Sequence, residues 1–189
     1  MNPELEKWYS RYRDLDEVIE AKGEPELVRN QHYLQGSGKA VDLASGKGAN
    51  ALYLASLGYD VTAVDCVDSA LQNTQESARY HGLSIQTEVV NLREPWKPET
   101  SYNLISMIRF LDRDLLKALP ENVMRGGLLF VKTFNENWLA KKPGFNPEYV
   151  LRVGELSRLY SSFEVIDSNE AAAKLNQDLT SSFFLGRKT

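Results

Sequence analysis

Residues 40–65 read AVDLASGKGANALYLASLGYDVTAVD, a β-branched run entering a glycine-rich turn, a helical stretch, and a second apolar run that ends in an acid. The order strand, glycine turn, helix, strand is the start of a βαβ unit, and it predicts a doubly wound, mostly parallel α/β sheet. The first strand spans Lys39 to Ala44, after the helix-breaking Gly36-Ser37-Gly38. A helix over Ala49 to Leu57 follows, with Gly58 in the C′ position, and then a strand over Asp60 to Asp65.

Outward from this unit the alternation repeats. Asp68 or Ser69 is expected to cap a helix that runs to Tyr80 and stops at His81-Gly82. Strands follow at Ser84 to Val90, Tyr102 to Ile108 and Gly127 to Phe134, with a helix from Asp112 to Leu119 between the last two. After Asn135 to Pro147, rich in Lys, Pro, Gly and Asn, come a helix near Val153 to Tyr160 and two closing strands, Phe163 to Ser168 and Ser181 to Arg187. That makes seven strands. Ahead of the core, a helix is expected over Glu24 to Tyr33. Pro3 to Ile19 carries Leu5, Trp8, Tyr9, Tyr12, Leu15 and Val18 at helical spacings, which predicts a helical cap on the sheet's edge. The expected organisation is one domain over 1–189, with a cap over 1–35 and an α/β core over 36–189.

Composition bounds the function. With 42% apolar and 25% charged residues the chain matches ordinary globular domains. It has no apolar run long enough to span a bilayer and no export signal at its charged N-terminus, so no membrane role is expected. Cys66 is the sole cysteine. No intrachain disulfide or paired-cysteine zinc site can form, and a cytoplasmic location fits. A net charge of −4 and a pI near 5.3 disfavour nucleic acid as a partner. The densest basic segment, Lys141-Lys142 near Lys132, reads as a solvated loop.

The chemistry sits in the turn. Gly46 and Gly48 let backbone approach a ligand closely, the helix from Ala49 aims free N–H groups at it, and Asp65 is placed to accept from both ribose hydroxyls. A nucleoside cofactor is implied. Gly46-Lys47-Gly48-Ala49-Asn50-Ala51 also satisfies G-x-G-x-x-A, so an NAD-dependent oxidoreductase competes. Asp42, four residues ahead of Gly46, favours a cation over a pyrophosphate. S-adenosylmethionine (SAM) offers a sulfonium and an ammonium group and has no phosphate.

DLASGKG, continued by NALYLASLGYDVTAVD, resembles the glycine motif of class I SAM-dependent methyltransferases, particularly the small tellurite-resistance-type enzymes. Trp8, Arg11 and Tyr12 are similar to that family's N-terminal W-x-x-R-Y, and YNLISMIRFLDRDLLKAL, RGGLLFVKTF and FNPEYVLRVGEL extend the likeness over most of the chain. The resemblance implies a Rossmann-like methyltransferase fold. It also implies that Asp42 and the backbone of Ala44, Ser45, Gly46 and Gly48 hold the methionine part of the cofactor, while Asp65 holds the ribose. Cys66, Asn91 and Leu92 would meet adenine, Met107 would line the methionine pocket, and Tyr12 would close over the cofactor unless it serves only to pack its helix. Asn91 replaces the usual Asp, and Ser45 the usual Cys.

Methyl transfer needs no metal, and no catalytic residue is assigned. Arg109, after the fourth strand, is a candidate for binding an anionic substrate or a partner in an interhelical salt bridge. His81 reads as a surface or capping residue and His32 as a structural one. Trp138 and Phe145 make Asn135 to Pro147 either a substrate lid or an ordinary connection. There is no D/N-P-P-Y/W after the fourth strand, which disfavours methylation of an exocyclic base amine. Nor is there a Pro-Cys nucleophile, and Cys66 reads as a small buried hydrophobe. A small-molecule methyl acceptor is the expected substrate, with a non-catalytic SAM-binding module as a further alternative. Oligomeric state is not legible.

Overall fold

The computed structural model describes residues 3–13, 17–34 and 36–189, with the side chains of 3–5 outside that description. Leu5 and Leu15 of the expected cap therefore lie outside the described side chains. The chain divides into two compact units, Met1–Trp96 and Lys97–Thr189.

In the first unit, helix α1 (Pro3–Tyr12) and the short α2 (Pro25–Arg29) precede β1 (Lys39–Leu43), α3 (Ala49–Ser56), β2 (Asp60–Asp65), α4 (Asp68–Tyr80) and β3 (Ile85–Val89). The strands lie in the order β3-β2-β1 and are parallel throughout, with Asp42 opposite Ala63 and Leu43 opposite Val64. Val41, Leu43, Val61, Ala63 and Val64 are fully buried, so both faces of β1 and β2 are covered, as parallel strands require.

Three expectations are corrected in this unit. The helix over 24–33 divides, because the Asn30 side chain donates through Nδ2 to the Glu26 carbonyl at 2.9 Å and α2 gives way to a 3₁₀ turn at Gln31–Tyr33. Neither Asp68 nor Ser69 caps α4. Val67 is the N-cap residue, Asp68 accepts from Gln72, and the Ser69 hydroxyl donates to the Tyr12 carbonyl. The N-terminal helix ends at Tyr12, and residues 17–24 form a strap along α4 and onto α3. Asn73 donates to the Glu17 carbonyl at 3.0 Å, the Ile19 amide to Ser77 Oγ at 2.9 Å, His81 Nε2 to the Ile19 carbonyl at 2.8 Å, and the Lys22 amide to the Ala49 carbonyl at 3.2 Å.

The second unit holds β4 (Tyr102–Ile108), α5 (Arg113–Asn122), β5 (Val123–Phe134), α6 (Asn137–Lys141), α7 (Glu155–Leu159), β6 (Phe163–Ser168), α8 (Glu170–Leu175) and β7 (Ser181–Lys188). Its strand order is β4-β5-β7-β6. β5 runs parallel to β4, while β7 is antiparallel to both β5 and β6. With the three strands of the first unit this makes seven, mostly parallel and mixed in direction. Asp112 caps α5 by accepting from the amides of Asp114 and Leu115.

Here too the structure departs from expectation. β5 begins at Val123, and its pairing with β4 jumps from Tyr102–Val123 to Leu104–Leu128, so Arg125-Gly126-Gly127 belongs to an irregularity within the strand. A Cβ on Gly127 would stand 2.8 Å from the Met124 carbonyl oxygen. The expected helix over 153–160 starts only at Glu155, after Gly154 at φ +82. Helix α8 lies between the two closing strands, where the sequence pattern predicts no element. Its Glu170 is buried and accepts from the amides of Leu156 and Ser157 at 3.0 and 2.7 Å, capping α7 from a distant segment.

Candidate functional site

The turn between β1 and α3 is built on left-handed backbone. Ala44 (φ +54), Gly46 (φ +54) and Gly48 (φ +79) all lie there, and Gly48 is the N-cap residue of α3. The Ser45 amide donates to the Val64 carbonyl and the Gly48 amide to the Ser45 carbonyl, each at 3.0 Å. Asp65, at the end of β2 and 8% exposed, accepts from the Gly46 amide at 2.8 Å and, through its other oxygen, from the Val67 amide at 3.0 Å. Asp42, 2% exposed, accepts from Asn50 Nδ2 at 3.0 Å. The turn thus lies between two buried carboxylates.

The two glycines serve separate neighbours. A Cβ on Gly48 would stand 2.3 Å from Thr74 Cγ2 of α4, so this glycine lets the two helices approach. A Cβ on Gly46 would stand 2.9 Å from the Tyr12 hydroxyl, so the N-terminal helix lies directly over the turn. Lys47, between them, is exposed and ion-paired with Glu17. Ser45 Oγ is buried without a hydrogen-bond partner among the described residues.

Around this turn, Tyr9 donates to the Cys66 carbonyl at 3.0 Å, and Trp8 stacks on Tyr12 with ring centroids 6.1 Å apart. The Arg11 guanidinium lies over both rings, at 5.4 and 5.9 Å. Cys66 is half-buried. After β3, Asn91 accepts from the Arg93 amide and donates to Glu94, each at 3.1 Å, and Leu92 beside it is buried. The structure therefore brings Asp42, Ala44, Ser45, Gly46, Gly48, Asp65 and Cys66 together at one turn and the ends of its two flanking strands, with Tyr12 of α1 over the turn. Asn50 and Tyr9 belong to the same arrangement and escaped the sequence reading, because neither a lone helical Asn nor a packing Tyr carries a pattern of its own.

In the second unit, Met107 is fully buried on β4. Arg109 follows that strand at φ +59, its amide bound to the Lys132 carbonyl at 2.8 Å and its side chain exposed. Trp138, on α6, stacks on Phe134 at 4.5 Å and meets Phe145 edge-on at 6.4 Å, and its Nε1 is buried without a partner among the described residues. Residues 135–141 are held in place. Asn135 donates to the Leu179 carbonyl and Ser182, Asn137 to the carbonyls of Ala173 and Leu179, and Lys141 pairs with Asp178 at 2.7 Å.

His32 is exposed with its ring 4.1 Å from that of Tyr33, and His81 ties down the strap. Among the described residues no group of three or more His, Cys, Asp or Glu side chains is placed to hold a metal ion. No described helix is long and apolar enough to cross a membrane.

Comparison with known proteins agrees with this architecture. Residues 20–181 match the family model described as "Tellurite resistance protein TehB". A curated relative from Haemophilus influenzae (strain 10810), a "Probable S-adenosyl-L-methionine-dependent methyltransferase TehB", is 27% identical over 146 residues, covering 74% of this chain and 50% of its own length. The chain thus spans about half the length of the curated relatives it matches. The crystal structure of TehB from Haemophilus influenzae superposes with a TM-score of 0.72 at 20% identity, covering 96% of this chain and 66% of that one. An S-adenosylmethionine-dependent methyltransferase from Clostridium acetobutylicum ATCC 824 superposes at 0.70 and 12% identity, covering 98% of each chain. These likenesses show the Rossmann-like fold of those methyltransferases, and the family match over most of the chain places it in the TehB family.

Proposed function

We propose that the chain transfers a methyl group from SAM to a small-molecule acceptor by in-line displacement. The observation that carries this reading is the buried Asp42 carboxylate beside the glycine turn. The turn's lysine, Lys47, is exposed and paired with Glu17, and the charge buried beside the turn is negative, which opposes a pyrophosphate. A sulfonium and an ammonium group suit that environment.

The rest of the donor set fits the same cofactor. A carboxylate has about four acceptor positions. The Gly46 and Val67 amides occupy two on Asp65, which leaves room for ribose hydroxyls. The orphaned Ser45 hydroxyl and the positive-φ backbone mark the turn as shaped for more than chain reversal. Tyr12 and the half-buried Cys66 supply apolar surface around it.

SAM supplies a methyl carbon already activated by its sulfonium. The chain's own residues then have to align donor and acceptor and exclude water. Ligands of open α/β sheets bind outside the carboxyl ends of the strands. Arg109 stands at such an end with an exposed guanidinium, which favours an acceptor carrying negative charge. Within the second unit Phe134, Trp138 and Phe145 form an aromatic cluster, and the anchoring of 135–141 favours an ordinary connection over a lid there. The net charge of −4 argues against a nucleic-acid acceptor, and the single cysteine fits action in the cytoplasm.

Isothermal titration with SAM, S-adenosylhomocysteine and NAD in one buffer tests the reading. Micromolar binding of both adenosyl compounds without an NAD signal is expected. Binding of NAD alone would overturn it.

A further inference from the structure

We infer that Asn50 is a positioning residue for Asp42, and that it links the cofactor turn to the strap at Lys22–Glu24. The inference rests on the methyltransferase reading, which makes Asp42 the group that meets the amino-acid half of the cofactor.

Asn50 lies buried in the first turn of α3 and is bonded at both ends of its amide. Nδ2 donates to Asp42 Oδ1 at 3.0 Å, and Oδ1 accepts from the Glu24 amide at 3.4 Å. The opposite amide orientation would set oxygen against oxygen and N–H against N–H, so the two bonds specify one another. The last torsion of an aspartate is soft. A directional donor on Oδ1 restricts that torsion.

The neighbouring Lys22 amide donates to the Ala49 carbonyl, so two successive residues of α3 are held by the strap. A polar Asn in a buried helical turn is disfavoured unless both its ends are satisfied. Here they are satisfied by the motif carboxylate on one side and the strap on the other. Displacement of the strap therefore loosens the donor that orients Asp42.

A double-mutant cycle tests the link to Asp42. Asn50→Ala and Asp42→Asn, singly and together, are titrated with S-adenosylhomocysteine and with 5′-methylthioadenosine, which lacks the amino-acid half. Asn50→Ala is expected to weaken S-adenosylhomocysteine about 10-fold, the scale of one hydrogen bond to a charged group. It should leave methylthioadenosine nearly unchanged and have no further effect in the Asp42→Asn background. Equal losses for both ligands, or additive losses in the double variant, would overturn the role.

The strap link is tested at Glu24, whose φ of −57 is one that proline adopts. Glu24→Pro removes the N–H with the backbone kept, and Glu24→Ala retains it. Weaker S-adenosylhomocysteine binding in the proline variant alone supports the link, and equal affinities overturn it. Faster exchange of the Glu24 amide in ligand-free Asn50→Ala reads the same link without a cofactor, and an unchanged rate refutes it. Wild-type protein that fails to bind S-adenosylhomocysteine would overturn the methyltransferase reading instead, and the Glu24 exchange still decides the strap link.

Discussion

Asp65 at the end of β2 and Gly46 in the first turn, nineteen residues apart, are joined by a 2.8 Å hydrogen bond from the glycine amide to the carboxylate. The acid thus has a structural task, holding the turn against β2, beside the ribose contact proposed for it. Its second oxygen, on the Val67 amide, also sets the entry into α4. Asp65→Ala is expected to leave two buried N–H groups unpaired, at about 1–3 kcal/mol each, and so to destabilise the protein by about 2–6 kcal/mol. The same variant should weaken SAM binding roughly 10- to 100-fold, from about 1.5–3 kcal/mol of charge-assisted hydrogen bonding. Calorimetry on folded variant checks both, and undiminished affinity would remove Asp65 from the site.

Gly48→Ala should destabilise by about 2–4 kcal/mol, since it combines a left-handed backbone with overpacking against Thr74. Adding Thr74→Ala removes the atoms nearest the new methyl group and should restore part of the loss. Ala44→Gly in the same turn relieves left-handed strain and should stabilise by up to about 1 kcal/mol. Chemical denaturation reads all three. A neutral Gly48→Ala would mean that α3 and α4 can separate at no cost.

Arg109 is held at φ +59, where an arginine is strained and glycine is not. Arg109→Gly is therefore expected to raise stability by up to about 1 kcal/mol. It should also raise the KM for a negatively charged acceptor while leaving SAM affinity unchanged. A variant that keeps its acceptor KM would show that the guanidinium does not touch the substrate.

Arg113 on α5 binds both oxygens of Glu155, at 2.8 and 3.1 Å, and also the carbonyls of Glu148 and Val150. Burial pushes the Glu155 carboxyl upward, but hydrogen bonds from Arg113 and from the Arg152 amide, with the charges of both arginines, leave it below the usual glutamate value. A folded-state pKa that is lowered contributes stability that is present above the ordinary carboxylate range and lost as pH falls through the lowered value. Arg113→Ala should cost about 1–2 kcal/mol at neutral pH, discounted for partial exposure of the pair. The gap to wild type should narrow in acid without closing, since the two carbonyl contacts do not titrate. Urea denaturation at pH 7 and pH 3 measures the gap, and one that does not change with pH would exclude the ion pair as its source.

The parts of this molecule legible in its sequence are those whose cause is local. β1, β2 and β4 are buried apolar runs between turn signals, and the glycine turn declares itself through residue type and spacing. Helix α6 and the anchoring of 135–141 depend on Asn135 and Asn137 reaching carbonyls at Ala173 and Leu179, far along the chain. The end of α2 depends on Asn30, and the start of α7 on the remote Glu170. At each point an Asn or Glu side chain takes over a backbone hydrogen bond, and nothing in its neighbours marks which distant group it will meet. The site divides in the same way. Asp42, Gly46, Gly48 and Asp65 follow from the motif, whereas Asn50 and Tyr9 are found only through their partners.

The strap along α4 bears on how this chain can be recombined with its relatives. Residues 17–22 meet side chains at 73, 77 and 81 on a single helical face and a backbone carbonyl at 49. A chimera that exchanges the N-terminal segment at a junction just before β1 would separate a strip from the surface it was shaped to fit. Crossovers that preserve the match must transplant the outer face of α4 together with the strap, so the unit of inheritance here is discontinuous in the gene although continuous in space.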